Sequence, residues 1–296
     1  MADEQNPKNP TPDEISRRDF VVSIGAGIVA ASGATASAQM PVMEMNVTIK
    51  TPDGNSDAVF VHPTTGRYPG VLIWSDAFGL RPVFRDMAKR LAAQGYSVLV
   101  PNPFYRTAKA PVLTEAEMAS FNFGNPEHRA KLMPLMGGLN APGAAERDAT
   151  AYVAWLDAQP QVDRTKKVGT QGYCMGGPLV MRTAATVPDR VGAVASFHGG
   201  GLVTDQPTSP HLLIPKIKAR LLVAIAENDD KQQPAAKDEL KKAFAAANLP
   251  AEVEVYPAQH GWCMADAPAA TGPIYNKEQA ERAWGKLTAL YKAALV

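Results

Sequence analysis

The sequence predicts an α/β fold, with a mostly parallel central sheet covered by helices on both faces of a single domain. Three observations predict it. Short apolar runs alternate with amphipathic stretches along most of the chain. The runs are continuously apolar, as strands buried on both faces require. Breakers such as Gly95, Pro101 and Pro103 separate the segments. Strands that alternate with helices need crossover connections, and crossovers make neighbouring strands parallel.

Val42 to Ile49 and Ala58 to His62 alternate on either side of the turn sequence Thr51-Pro52-Asp53-Gly54-Asn55, which predicts an opening hairpin. Tyr68 to Trp74 is a buried strand, Arg81 to Gln94 a helix stopped by Gly95, and Ser97 to Val100 the next strand. The alternation then continues with a helix near 144–158, strand 166–171, helix 176–187, strands 191–197 and 220–226, helix 234–247, strand 251–256 and helix 277–294. Residues 101–143 interrupt it with several prolines, Phe104, Tyr105, Phe121, Phe123, Met133, Met136 and the pair Gly137-Gly138. A stretch of that length and composition reads as a lid or binding loop.

The 296 residues carry a net charge of +1 and are 46% apolar, enough for a large core. Near-neutral charge without a basic cluster beyond the N-terminus argues against nucleic acid or a membrane surface as the main partner and points to a small molecule. Ser16-Arg17-Arg18-Asp19-Phe20, an apolar run from Val21 to Ala34 and Ala36-Ser37-Ala38 read as a twin-arginine export signal cut after Ala38. The run is too short and too glycine-rich for stable membrane insertion. Residues 1–38 are therefore expected to be removed, leaving 39–296 as a periplasmic or secreted domain. That removal takes away three cationic and five acidic side chains, which raises the net charge from +1 to +3. Two cysteines, Cys174 and Cys263, allow one disulfide at most. Without Cys/His pairs at finger spacing, no structural metal is expected.

The sharpest motif is Gly172-Tyr173-Cys174-Met175-Gly176, preceded by a strand-like run and followed by a helical one. It fits the nucleophile elbow of the α/β-hydrolase fold with sulfur in place of the usual hydroxyl. Glycines on both sides allow a sharp strand-to-helix bend. The bend sets Cys174 at a helix N-terminus, whose free N–H groups favour an anion there. A thiol nucleophile needs a base and a group that orients the base, in the chain order nucleophile, acid, histidine. His260, followed by Gly261 and placed after the last strand, fits the base better than His198, which comes one element too early, or His211, which lies among prolines. The strand 220–226 runs into Glu227-Asn228-Asp229-Asp230, where Asp229 is favoured as the acid and Asp230 and Glu227 are alternatives. The N–H of Met175, with that of Ala77 from the loop after the first central strand, would form the oxyanion hole. Asp76 stands beside it, either touching the thiol or capping the next helix.

These residues resemble the dienelactone hydrolase family. The likeness rests on Asp76-Ala77-Phe78-Gly79-Leu80, Val100-Pro101-Asn102-Pro103-Phe104-Tyr105, the cysteine elbow, Glu227-Asn228-Asp229-Asp230 and Tyr256-Pro257-Ala258-Gln259-His260-Gly261-Trp262. It implies a Cys174–His260–Asp229 triad, no cofactor, hydrolysis of a carboxylic ester or lactone through a thioester, and Tyr105 and Trp262 as candidate contacts to substrate. It also implies that Asp76 replaces a thiol-contacting glutamate. Met264 replaces an arginine that holds the substrate carboxylate, so Arg81, Arg106 and Arg129 become its candidate substitutes. A rival expectation is an exported binding protein on a drifted scaffold. Thiol–disulfide exchange is weaker, since the chain has no C-x-x-C.

Overall fold

The computed structural model describes residues 39–268 and 272–296; the expected signal segment 1–38 lies outside the described residues. Eight strands form one sheet: β1 (Val42–Thr51), β2 (Gly54–Pro63), β3 (Gly70–Trp74), β4 (Ser97–Pro101), β5 (Val168–Tyr173), β6 (Val191–Phe197), β7 (Arg220–Ala226) and β8 (Ala251–Tyr256). Their order is β1-β2-β4-β3-β5-β6-β7-β8. The opening hairpin pairs antiparallel, β2 joins β4 antiparallel, and every later pairing is parallel. The predicted α/β class and its central sheet are what the structure shows.

Alternation along the strands splits the core in two. Phe60, Leu72, Trp74, Leu99, Val194 and Val223 pack on one face beneath α4 (Ala144–Asp157), α5 (Gly176–Thr186) and α7 (Ala236–Ala246). Their sequence neighbours Val59, Val71, Ile73, Val98, Ala195 and Leu222 pack on the other beneath α1 (Pro82–Ala92) and α8 (Lys277–Leu295). The central strands β3 to β7 are covered on both faces, which is why their sequences show no polar alternation.

The stretch 101–143 is not the open loop that its composition suggests. It holds α2 (Glu115–Ser120) and α3 (Pro126–Leu139), which bury Met118, Leu132, Leu135 and Leu139 against the core. A capping box starts α2: the Thr114 hydroxyl accepts the Glu117 N–H, and the Glu117 carboxylate accepts the Thr114 N–H. The acidic segment after β7 is also helical, as α6 (Glu227–Gln232), rather than a loop. Among the described residues, no helix is long and apolar enough to cross a membrane.

Candidate active site

Chain order reverses beside β3: the chain leaves β3 toward β4 on one side and later returns through β5 on the other. In open α/β sheets, ligands bind beyond the carboxyl ends of the strands at such a reversal. The residues at those ends are Asp76 and Ala77 after β3, Cys174 after β5, His198 after β6, Asp229 after β7 and His260 after β8. All but Asp229 line one cavity of ≈ 370 Å³.

Cys174 has φ +52°, a left-handed conformation that costs a residue with a Cβ about 1 kcal/mol or more. The bend is held by the Cys174 N–H donating to the Phe197 carbonyl (3.1 Å) and by the Gly177 N–H donating to the Cys174 carbonyl (3.0 Å). Glycines are obligatory around it. A Cβ on Gly172 would lie 2.2 Å from the Gly176 oxygen, and one on Gly176 would lie 2.4 Å from the Trp74 oxygen. Of the two predicted oxyanion donors, one falls at this bend and the other in the loop after β3. Met175 opens α5, Ala77 lines the cavity, and among the described residues neither N–H donates to a protein acceptor.

His260 Nδ1 lies 2.7 Å from Asp229 Oδ2. The other two carboxylates of the segment are engaged elsewhere, Glu227 with Lys231 (2.6 Å) and Asp230 with Lys237 (2.7 Å). The His260 N–H donates to Asn228 Oδ1 (2.7 Å), so Asn228 ties the histidine loop to α6. Sequence reasoning passed over that residue. Burial opposes a charge on His260, but the hydrogen bond to Asp229 and the interactions with Cys174 outweigh it and push the imidazole up to about 10. The arrangement can therefore store a proton on the imidazole beside the sulfur.

His198, which comes one element too early to be the base, packs edge-to-face on both His260 and Trp262 with ring centroids 5.0 Å apart in each case. It is fully buried at φ +40°, and among the described residues neither ring nitrogen has a partner. Burial, then the charge on His260, hold it well below the usual histidine range, so it is a neutral wall. His211 is elsewhere, with Nδ1 2.7 Å from the Ser209 hydroxyl. Both cysteines are free. Cys263 is buried in a second cavity beside Tyr173 and Trp284, where burial pushes its thiol well up.

A family model described as the dienelactone hydrolase family matches residues 56–295. The chain belongs to the dienelactone hydrolase family. That places it among hydrolases. It is 27% identical over 285 residues to a protein of Methylorubrum extorquens named "Putative carboxymethylenebutenolidase", covering 92% of this chain and 91% of that one. A Synechocystis protein of the same name is 26% identical over 234 residues, covering 78% of this chain and 88% of that one. Among solved structures, a dienelactone hydrolase-like promiscuous phosphotriesterase from metagenomic libraries aligns with a TM-score of 0.70 at 22% identity, over 86% of this chain and 99% of that one. The dienelactone hydrolase of Anabaena variabilis aligns with a TM-score of 0.58 at 19% identity, over 86% and 99%.

Several contacts expected from the dienelactone hydrolase likeness are placed otherwise. The buried Asp76 carboxylate does not stand free for the thiol. It accepts from Arg81 on both oxygens (2.6 and 2.9 Å) and from the Phe78 N–H (3.0 Å), so it closes its own turn and pairs a buried cation. Tyr105 points away from the cavity, its hydroxyl donating to Asp148 (2.7 Å) and meeting the Thr51 hydroxyl (2.7 Å) beside the opening hairpin. Arg106 is bound there too, by Asp53 and Asp148. Trp262 is buried, stacked on Tyr256 at 5.2 Å, and does not line the cavity. Arg129 donates to the Phe123 carbonyl on the surface. Of the three arginines considered in place of Met264, only Arg81 reaches the cavity.

The His260–Asp229 pair has a consequence for stability. A histidine whose folded pKa of about 10 exceeds its unfolded value near 6.5 stabilises the fold fully below pH ~6.5 and loses that contribution as pH rises toward 10. Thermal melts of wild-type and Asp229→Asn protein from pH 6 to 10.5 should therefore converge at the alkaline end. A gap in Tm that is constant with pH would contradict this.

Proposed function

We propose that the protein hydrolyses carboxylic esters or lactones with Cys174 as nucleophile. With the proton already held on His260, the Cys174 sulfur attacks the carbonyl carbon, and the Ala77 and Met175 N–H groups receive the oxyanion. Collapse of the tetrahedral adduct expels the alcohol, which takes the proton from His260, and leaves an acyl thioester. Water, deprotonated by His260, then adds to the thioester; the acid departs and the thiol is restored. Asp229 holds the imidazole in the tautomer that presents Nε2 to the sulfur and offsets the charge that forms on it. No step calls for a cofactor.

The observation that carries the reading is the meeting of a left-handed cysteine and an Asp229-bound histidine in one cavity. A purely binding role would give no use to two free N–H donors beside a strained thiol. The reading is tested by turnover of short acyl esters and lactones by wild-type and Cys174→Ala protein.

A further inference from the structure

We propose that this site takes neutral, apolar acyl substrates and discriminates against esters and lactones that carry a free carboxylate. The inference rests on the hydrolytic reading above and concerns the charge that the cavity offers. Phe78, Phe123, Met264, Ala267 and Ile274 form its apolar wall. Among the described lining residues, Arg81 is the one cation besides His260, and it is saturated. A guanidinium has five N–H donors. Those of Arg81 are taken by Asp76 Oδ1 (2.6 Å) and Oδ2 (2.9 Å), by Asp266 Oδ2 (2.8 Å) and Oδ1 (3.0 Å), and by the Gly79 carbonyl (3.3 Å). The guanidinium also lies over the Phe78 and Phe84 rings at 5.5 and 5.0 Å, which fixes its plane.

One cation between two carboxylates leaves the cluster with a net negative charge. A substrate carboxylate approaching Arg81 meets that charge. One placed against the apolar wall loses its hydration without gaining a partner. Residues 267–275, next in sequence after Asp266, contain no charged side chain. Within the cluster the two anions differ. Asp76 is buried, whereas Asp266 is 37% exposed and sits two residues beyond Met264. Asp266 is thus the group that keeps the outer edge of Arg81 closed to an anion, and it acts on specificity through Arg81 rather than by touching substrate.

The test compares kcat/KM for phenyl heptanoate and for the monophenyl ester of adipic acid, which differ at the chain end by an ethyl group against a carboxylate. Wild-type protein should favour the neutral ester at least tenfold. Asp266→Asn opens one edge of Arg81 and should narrow that ratio at least threefold by raising turnover of the anionic ester. Equal or better turnover of the adipate ester by wild type overturns the inference, as does a ratio that Asp266→Asn leaves unmoved; in both cases the hydrolytic reading survives. If neither ester is cleaved, the hydrolytic reading falls and this inference falls with it.

Discussion

Replacing Cys174 with alanine is expected to lower kcat/KM for ester hydrolysis by about 10³-fold or more, or about 4 kcal/mol of transition-state stabilisation. The size follows from what is lost. Without sulfur there is no covalent intermediate. Only the Ala77 and Met175 donors and the apolar wall remain to assist direct attack by water. His260→Ala should come close to the same level, because groups that act as a unit are strongly non-additive when removed singly. Melting of Cys174→Ala should stay near wild type, since the Cys174 side chain is only partly buried and relief of its left-handed strain is small. A Cys174→Ala protein that retained a tenth of wild-type turnover would remove sulfur from the mechanism.

The second large effect is expected at Gly176. An added Cβ there meets the Trp74 oxygen at 2.4 Å and the Ser75 oxygen at 2.9 Å, both backbone atoms at the end of a central strand. Neither can move without disturbing β3 or the loop that carries Ala77, so the start of α5 must shift instead. Overpacking against backbone in this way should destabilise Gly176→Ala by about 3 kcal/mol or more, which lowers Tm by about 6 °C or more for a domain of this size. Activity should fall further than stability, by about 10²-fold, because the same shift displaces the sulfur and one oxyanion donor together. Gly137→Ala is the control: its Cβ meets nothing within 4 Å on α3, and it should hold or raise Tm. Calorimetry that found Gly176→Ala as stable and as active as wild type would show that the bend does not need its glycines.

The sheet and its covering helices were legible because strands buried on both faces leave an unbroken apolar signature. β6, β7 and β8 begin and end where the sequence places them. The two helices within 101–143 were hidden by punctuation. Pro134 lies inside α3, and Gly137 and Gly138 lie in its last turn, residues that ordinarily mark loops. The Thr114 and Glu117 spacing was the available sign of α2. In the site, the local motif located Cys174, and element order located His260 and Asp229, since each sits directly after a strand. What sequence order could not give is the long-range pairing of charges. Arg81 meets Asp266 185 residues away, and Tyr105 is drawn to Asp148 and Thr51 rather than to the cavity beside its own motif. The role of His198 is equally non-local, because it depends on two rings delivered by the β8 loop.

The most direct measurement of the central claim is the mass of the protein quenched in acid during turnover of a short acyl ester, followed by peptide mapping. Nucleophilic attack by the Cys174 sulfur requires an acyl group to be found on the peptide containing Cys174, at a level that disappears in Cys174→Ala. Full turnover with that peptide unmodified, or with the acyl group on another residue, would contradict it.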